Sequence, residues 1–211
     1  MVQVDTRQSI LDAAEELFSR KGFQGASLRA ITRQADVNLA AVNYHFGSKE
    51  ALVEEVLQRR LVPLNKTRVE RIQQVLAAAE TKGRRPQARD LIFAFMQPTI
   101  LFRESDPGIP VFISLVGRGF VESDSTVRNL FMELMKPVFM LMMASLHHAL
   151  PHIPENILYW RIRFMMGAMS HTMQSIGNCP MEINENVKNQ DARDLVEILI
   201  PFLTAGMEAP V

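Results

Sequence analysis

The second half of the chain carries the side chains that most often bind transition metals. They are four histidines and the only cysteine: His147, His148, His152, His171 and Cys179. A helix brings two histidines to one metal at four-residue spacing, but Pro151 interrupts the helix between His148 and His152. No carboxylate stands at metal-site spacing beside them. The sequence therefore predicts no metal site and no cofactor, and a metal-dependent protein is kept as a weaker alternative.

Catalytic patterns are missing from the rest of the sequence as well. Nothing resembles a phosphate-binding glycine loop, a nucleophile elbow or a pair of carboxylates set for acid–base work. We therefore expect no catalytic residues and predict that the protein is not an enzyme.

A different chemistry is offered by a short helix that the sequence predicts at residues 39–46. Val42 and Phe46 share its apolar face, which leaves the other face to small and polar residues: Ala40, Ala41, Asn43 and Tyr44. Alanines let a helix approach base edges and thymine methyl groups, and asparagine pairs with adenine in the major groove. The hydroxyl of Tyr44 suits a phosphate oxygen. These side chains predict contact with double-stranded DNA.

The charges around this helix also favour a polyanion. The whole chain has 23 basic and 23 acidic residues, and this balance by itself argues against nucleic-acid binding. Between Arg20 and Lys49, however, five basic residues stand against Asp36 alone. Lys49 lies in the first turn of a helix, where the helix dipole disfavours a cation unless an anion is near. A DNA phosphate would be such an anion, although a solvated surface face would also explain the cluster.

The elements that position these residues are predicted to be helices. No segment shows a sustained two-residue alternation of apolar and polar residues, so we expect an all-α protein without a sheet. Residues typical of helix caps and turns divide the start of the chain into three predicted helices. The first helix begins near Asp5 and ends at Gly22, Ser27 caps a second helix through Ala35, and Asn38 caps the third. Two short helices joined by a three-residue turn are the helix-turn-helix geometry that places the second helix in the major groove.

The remaining pattern predicts more helices and two domains. A fourth helix begins at Lys49 and continues past residue 70, bent at Pro63, and a polar loop follows at residues 80–85. The later helices are expected at residues 87–104, 109–122, 124–149, 155–177 and 190–207, with kinks at Pro98, Pro137 and Pro201. We assign residues 1–50 to a DNA-binding domain and residues 51–211 to a helical effector-binding and dimerisation domain.

A longer stretch of the sequence resembles a known family. Residues 23–57 read FQGASLRAITRQADVNLAAVNYHFGSKEALVEEVL, and their centre is Val42 to Lys49 followed by Leu52. This stretch is similar to the DNA-binding domain of the tetracycline-repressor (TetR) family, and residues 10–22 fit the family's first helix. One departure is Asp36, which stands in the turn where the family usually has glycine. Aspartate tolerates the left-handed conformation, so the turn is only slightly weakened.

The resemblance implies an all-α homodimer that binds a palindromic DNA operator, usually as a repressor that a small molecule releases. By position, Ser27, Tyr44 and Lys49 would contact phosphates. Four residues would lie nearest the bases: Arg29, Ala40, Ala41 and Asn43. For His45 we favour a hydrogen bond to a backbone carbonyl, with a phosphate contact as the second possibility. The family also implies a bacterial cytoplasmic protein.

The C-terminal part is rich in methionine and phenylalanine. Twelve of the 13 methionines and nine of the 12 phenylalanines follow residue 60. Methionine suits surfaces that accept varied apolar shapes, so we predict a pocket for an apolar effector, with a methionine-rich core as the alternative. The predicted lining is Phe93, Met96, Phe112, Phe131, Met135, Phe139, Phe164 and Met169. Residues 160–173, WRIRFMMGAMSHTM, are also similar to family members that respond to fatty acids or acyl-CoA esters.

The last two predicted helices are apolar around most of their circumference. A terminal helix cannot bury so much apolar surface against one domain, so a second copy of the chain is the natural cover. The predicted interface residues are Trp160, Gly167, His171, Leu195, Leu199 and Phe202. The family resemblance agrees, because it implies a dimer interface built from these two helices.

Other features favour an intracellular protein. The N-terminus lacks the layout of a signal peptide, one cysteine forms no internal disulfide, and no uninterrupted apolar run reaches membrane-spanning length. We therefore expect no membrane partner. A DNA-binding regulator without any small-molecule effector is the remaining alternative function.

Overall fold

The computed structural model describes residues 5–105, 108–121, 125–175 and 192–211. In these ranges the chain is helical and forms no strand, so the all-α prediction is confirmed. The helices are α1 (Thr6–Gly25), α2 (Leu28–Gln34), α3 (Leu39–Phe46), α4 (Lys49–Thr81), α5 (Ala88–Ser105), α6 (Ile109–Val121), α7 (Thr126–Ala149), α8 (Glu155–Ser175) and α9 (Ala192–Glu208).

Those predicted bounds of α5 to α9 that fall on described residues agree with the structure to within one residue. Pro98, Pro137 and Pro201 lie inside α5, α7 and α9, as expected. The predicted helix ends at residues 122, 124, 177 and 190 fall outside the described residues.

Side-chain caps define the starts of the short N-terminal helices. The Oγ of Ser27 accepts a hydrogen bond from the backbone N–H of Ala30 at 3.2 Å. The Oδ1 of Asn38 accepts one from Ala41 at 2.9 Å. These caps satisfy amide donors that have no partner inside the first turn, and they fix where α2 and α3 begin. Both caps were predicted from the sequence and are confirmed.

Among the described residues up to residue 50, three have positive φ angles. Gly47 (φ 76°) follows α3, and Asp36 (φ 54°) occupies the turn between α2 and α3, which confirms that aspartate tolerates this conformation. Gly22 also has a positive φ, 73°, and the helical dihedrals break there, as the sequence predicted. Helical structure resumes after a local break at Gly22 and continues to Gly25, because a glycine can interrupt the helical dihedrals for one residue without a Cβ clash.

The chain forms two compact units. The first contains residues 1–63 and 107–135, and within it α1 packs against α2, α3 and α6. Its core includes side chains with no exposed surface: Ile10, Ala14, Phe18, Ile31, Val42, Leu52, Val53, Val56 and Leu57. This core buries one face of each short helix and leaves the opposite faces to solvent.

The second unit contains residues 64–106 and 136–211, and within it α9 packs against α5 and α8. Its core includes Leu91, Ile92, Met96, Leu158 and Ile162, all fully buried. Neither unit corresponds to the predicted division after residue 50, since α6 and the first half of α7 belong with α1.

Two of the helices run from one unit into the other, and each has a proline at the crossing. Helix α4 passes from the first unit to the second at Pro63, and α7 does so at residues 135–136, next to Pro137. Proline has no N–H, so the carbonyl four residues earlier loses its helical partner. The backbone hydrogen-bond ladder of both helices is therefore interrupted where the units join.

Helix α7 bears on the expectation that no apolar run is long enough to span a membrane. It has 24 residues, and its most apolar 18-residue window has a mean hydropathy of 1.3, so by length and composition alone it could cross a membrane. A single helix of this kind is weak evidence for a span, because core helices of soluble proteins meet the same criterion.

Candidate nucleic-acid interface

Helix α3 presents the face that the sequence predicted for DNA contact. Val42 (0% exposed) and Phe46 (7%) anchor it to the core of the first unit. On the other side Ala40 and Asn43 are exposed, and 85% of the surface of Tyr44 is accessible. The helix therefore projects an amide and a phenol from a well-anchored backbone.

Two further predicted contact residues stand at the start of α2. Ser27 and Arg29 are both exposed. The Oγ of Ser27 already accepts the hydrogen bond of the cap, but a hydroxyl also has a proton to donate. Ser27 can therefore cap α2 and donate to a phosphate oxygen at the same time. Ala41 is half-buried, between the exposed and the anchored face of α3.

Lys49 has a structural contact that the sequence did not reveal. Its Nζ lies 4.4 Å from the centre of the Phe23 ring, a cation–π contact between the start of α4 and the end of α1. Phe23 itself is buried and packs against Phe18 at 5.8 Å between ring centres. The ring face accounts for part of the stabilisation of a lysine at a helix start. Lys49 thus has a role in positioning α1 and α4 in addition to the predicted role at a phosphate.

His45 is half-buried between two aromatic rings. Its ring packs edge-on against Tyr44, with 5.0 Å between centres, and tilts against Phe46 at 6.1 Å. This packing gives His45 a role in setting the orientation of Tyr44. The predicted hydrogen bond of His45 to a backbone carbonyl stays a prediction.

Ion pairs between α1 and α4 bring acidic and basic side chains of the first unit together. Glu15 is only 3% exposed, and it binds the guanidinium groups of both Arg59 and Arg60. Arg59 also reaches Asp12, with 2.6 Å between Nη1 and Oδ1. Glu15 is therefore neutralised inside the first unit, whereas Asp12 is 70% exposed.

Further pairs follow the same pattern. Arg7 binds Glu55, and Arg20 binds Glu16 at 2.8 Å. The other basic residues among the first sixty positions are Lys21, Arg29, Arg33 and Lys49. Arg29 and Arg33 are exposed on α2, next to α3. The sequence alone did not reveal the pairs between α1 and α4, because they join residues more than forty positions apart.

The predicted effector residues are distributed over both units. Phe112, Phe131 and Met135 belong to the first unit, and the other five belong to the second: Phe93, Met96, Phe139, Phe164 and Met169. Four of the eight are core residues at 7% exposure or less: Met96, Phe112, Met135 and Met169. Phe139 meets Tyr159 edge-on at 6.1 Å, whereas Phe164 is 66% exposed beside Trp160. Their common pocket stays a prediction.

One cleft of about 490 Å³ opens in the described part of the second unit. It lies between the end of α4 and the start of α5, and Phe93 is the only predicted effector residue in its wall. Arg71, Lys82 and Arg84 also line it. A cleft with this many cations differs from the wholly apolar pocket that the sequence suggested.

The predicted dimer residues lie on outer surfaces of α8 and α9. Trp160 is 54% exposed and Phe202 70%, while Gly167 and His171 are exposed and Leu195 and Leu199 half-buried. Val196, Ile200, Leu203 and Met207 face the core on the other side of α9. An added Cβ at Gly167 would meet nothing within 4 Å in the single chain. Helix α9 is thus apolar on both sides, as predicted.

The histidines considered as metal ligands are separated and open to solvent. His147, His148, His152 and His171 are exposed, and Cys179 lies outside the described residues. Within the described ranges, no three side chains among histidine, cysteine, aspartate and glutamate come together as a metal site would require.

A capped helix, a short turn and a second helix with an exposed recognition face define a helix-turn-helix DNA-binding protein. Comparison with known sequences agrees. Residues 10–56 match the family model of bacterial regulatory proteins of the tetR family, and residues 93–206, more than half of the chain, match that of the tetracyclin repressor-like C-terminal domain. The chain belongs to the TetR family. It is accordingly a transcriptional regulator and not an enzyme.

Curated relatives match over part of the chain. The probable HTH-type transcriptional regulator YttP of Bacillus subtilis is 32% identical over 92 residues, which are 44% of this chain and 42% of that protein. The HTH-type transcriptional regulator UidR of Escherichia coli K12 is 42% identical over 52 residues, 25% of this chain and 26% of that protein. The matched region thus spans less than half the length of either relative.

Solved structures extend the likeness to the whole chain. The transcriptional regulator FadR from Bacillus subtilis, in complex with stearoyl-CoA, superposes with a TM-score of 0.67 at 14% identity, covering 94% of this chain and 98% of that one. The fatty acid degradation regulator FadR from Bacillus halodurans gives 0.69 at 12% identity, with 98% of both chains covered. At these identities the likeness shows the fold alone.

Proposed function

We propose that this protein is a homodimeric repressor in the bacterial cytoplasm that binds a palindromic operator and leaves it when an apolar effector binds. The observation that carries the proposal is the outer face of α3. There Tyr44 is 85% exposed and Asn43 is exposed, on a helix fixed by buried Val42 and Phe46. A rigid helix with a free amide and phenol matches the requirements of major-groove recognition.

In this proposal residues 1–50 form the DNA-binding domain, and their contacts divide into two kinds. Phosphate contacts come from Ser27, Tyr44 and Lys49, with His45 as a further candidate. Base contacts come from Arg29, Ala40, Ala41 and Asn43. Phosphate contacts set the register of the protein on DNA, and base contacts select the sequence.

The second part of the proposal is dimerisation through α8 and α9, within an effector-binding and dimerisation domain at residues 51–211. Exposed Trp160 and Phe202 are the largest apolar side chains on these helices that a partner would cover. Gly167 leaves room for close approach of a helix. His171, Leu195 and Leu199 complete the proposed interface. A twofold dimer would present two α3 helices to two half-sites, which is why the operator is expected to be a palindrome.

The third part is an apolar effector in the second domain. Its proposed lining is Phe93, Met96, Phe112, Phe131, Met135, Phe139, Phe164 and Met169. The similar fold of the FadR that holds stearoyl-CoA supports a fatty acid or an acyl-CoA ester as the class of effector. The sequence similarity of residues 160–173 to fatty-acid-responsive regulators supports the same class.

A regulator without an effector is the second candidate function. The observation in its favour is the burial of Met96, Phe112, Met135 and Met169, which fits a methionine-rich core as well as a pocket. Native mass spectrometry of the purified protein separates the two candidates. A bound lipid, or a mass shift when an acyl chain is added, supports the effector. If neither result is observed, the effector is removed from the proposal.

The DNA-binding proposal is tested by selection from a random duplex library. The protein is first refolded free of ligand, so that a co-purified effector cannot hold it off DNA. Enrichment of two half-sites related by a dyad would support the proposal. A variant with Asn43→Ala and Tyr44→Phe is the matched control, because both side chains are exposed and the changes leave the core intact. If the ligand-free protein enriches nothing, the assignment of α3 is wrong.

A further inference from the structure

The cleft between α4 and α5 contains an unusual combination of side chains. Arg71, Lys82 and Arg84 line it together with a single acidic residue, Asp90. Its volume of about 490 Å³ is in the range of small-molecule sites. The three cations therefore outnumber the one carboxylate in a space large enough for an organic ligand.

The loop that carries two of these cations is held by hydrogen bonds. The N–H of Arg84 donates to the carbonyl of Ala79 at 3.1 Å, and the N–H of Gly83 donates to Glu80 at 2.9 Å. With Gly83 at φ 59°, this is the Schellman arrangement that ends a helix. The backbone of Lys82 and Arg84 is thus fixed relative to α4 before any ligand arrives, which reduces the entropy lost on binding.

The charged ends of Lys82 and Arg84 are available to a ligand. Both residues are exposed, and neither forms an ion pair within the part of the chain that the structure describes. Arg71 is half-buried deeper in the cleft, where its Nη1 donates to the Oε1 of Gln97. Gln97 leaves the charge of Arg71 uncompensated, because its amide oxygen is neutral.

Apolar groups line the cleft beside the cations. Val75 and Ala78 come from α4, Pro86 from the loop, and Phe93 from α5, with 39% of its surface exposed. An exposed phenyl face next to cationic side chains fits a ligand that is flat and apolar on one part and negatively charged on another.

From these observations we infer that the α4–α5 cleft is a binding site for an organic anion with a planar apolar body. Lys82, Arg84 and Arg71 hold the anionic group, and Phe93 with Val75 contacts the body. Asp90 opposes the anion and limits its affinity. The inference goes beyond the proposed function, because binding at this cleft requires neither DNA nor a second copy of the chain.

Isothermal titration calorimetry with three matched probes tests the inference. The probes are 2-naphthyl phosphate, neutral 2-naphthol and inorganic phosphate, each added to the full-length protein without DNA. We expect 2-naphthyl phosphate to bind more tightly than either of the others, since only it engages both the cations and the apolar wall. Equal binding of 2-naphthol, or of inorganic phosphate, would overturn the inference.

Two charge variants with opposite expected effects on affinity test whether 2-naphthyl phosphate binds in this cleft. Replacing Lys82 and Arg84 together by glutamine should weaken 2-naphthyl phosphate binding by about tenfold, whereas Asp90→Asn should strengthen it. Arg85→Gln is the control, because Arg85 is an exposed cation of the same loop that does not line the cleft. Opposite signs at the two sites cannot arise from a general loss of structure.

A steric variant checks the site independently of charge. Ala78→Phe places a large side chain in the wall of the cleft and should abolish binding of 2-naphthyl phosphate. Circular dichroism of the variant checks that this exposed helix position tolerates the phenylalanine. Unchanged affinity in Ala78→Phe, or the same affinity in the glutamine variant as in Arg85→Gln, would exclude this cleft. Because no arm involves an operator, a failure here is distinguishable from a failure of the proposed repressor function.

Discussion

Single residues of the helix-turn-helix have a structural role beside the recognition role that we propose for them. Ser27 caps α2 through its oxygen and retains a proton for a phosphate. Lys49 covers the ring of Phe23 and stands at the start of α4. In both, the contact inside the protein fixes the side chain in place, so that less conformational freedom is lost when DNA binds.

At Lys49 the two roles are separable by experiment. Lys49→Ala should weaken binding to all DNA sequences and reduce the slope of log K against log salt by about one, because one phosphate contact is lost. Lys49→Arg is the control, since it keeps the charge and the cation–π contact. An unchanged slope in Lys49→Ala would mean that the lysine acts only on Phe23.

Asn43 and Tyr44 are expected to respond differently from each other. Asn43→Ala should lose about 1–3 kcal/mol of discrimination at one base pair of each half-site, since asparagine reads an adenine edge. Tyr44→Phe should lower the affinity for all DNA sequences by about fivefold, because one hydrogen bond is lost. Competition binding with single-base operator variants measures both effects. Equal losses on every duplex for Asn43→Ala would contradict its assignment to a base.

What the sequence predicted at residue level was local. The caps by Ser27 and Asn38 connect atoms three residues apart, so sequence spacing is sufficient to predict them. The burial of Glu15 depends on Arg59 and Arg60, whose position follows only from the packing of α1 on α4. The sequence offers no signal for such a pair beyond the presence of both charges.

At the scale of elements, the Glu15 cluster is the main polar connection between α1 and α4. Glu15→Gln leaves two arginines facing a neutral amide in a largely buried place, and it should lower the free energy of unfolding by about 3 kcal/mol. Denaturant unfolding gives the value. Glu70→Gln is the control, because its partner Lys66 is 77% exposed and 4.0 Å away. A loss no larger than that of the control would show that the cluster adds nothing.

Another buried charge lies at the seam of α4 and α5. Arg68 is 2% exposed, donates to the Oγ1 of Thr99 and lies over the ring of Phe95 at 4.5 Å. Burial lowers the pKa of Arg68 to about 9, so at neutral pH the side chain stays charged, and removing that charge from water is costly.

For this reason Arg68→Met is expected to be tolerated. Methionine fills a similar length without a charge, so the free energy of unfolding should stay the same or rise by up to about 2 kcal/mol. Arg68→Ala, which leaves a cavity, should lower it. Thermal and denaturant unfolding of the two variants measure these changes. If the free energy of unfolding falls as much in Arg68→Met as in Arg68→Ala, the guanidinium itself is needed for stability.

The whole molecule is expected to be a dimer, and the exposed aromatic side chains of α8 and α9 provide the test. Phe202→Glu places a charge where 70% of the phenylalanine is exposed, so the single chain should keep its fold while the dimer dissociates. Sedimentation at micromolar concentration should change from dimer to monomer. Val62→Glu is the control, because Val62 is 55% exposed on α4, outside the proposed interface. A wild-type protein that sediments as a monomer would rule out this surface as an interface.

At this scale the sequence predicted the helices but not how they group. Periodicity shows which face of a helix is apolar, but it does not say which neighbour covers that face. The packing of α6 on α1 joins residues about a hundred positions apart, and it moves α6 into the same unit as the helix-turn-helix. The predicted effector residues divide between units for the same reason.

The prolines of α4 and α7 have a mechanical consequence. A continuous helix resists bending because each turn is tied to the next, and Pro63 and Pro137 remove such a tie close to where these helices pass between units. Each helix is therefore expected to bend more easily near its proline than elsewhere along its length. Pro63→Ala would restore the missing N–H donor and make α4 stiffer at that residue.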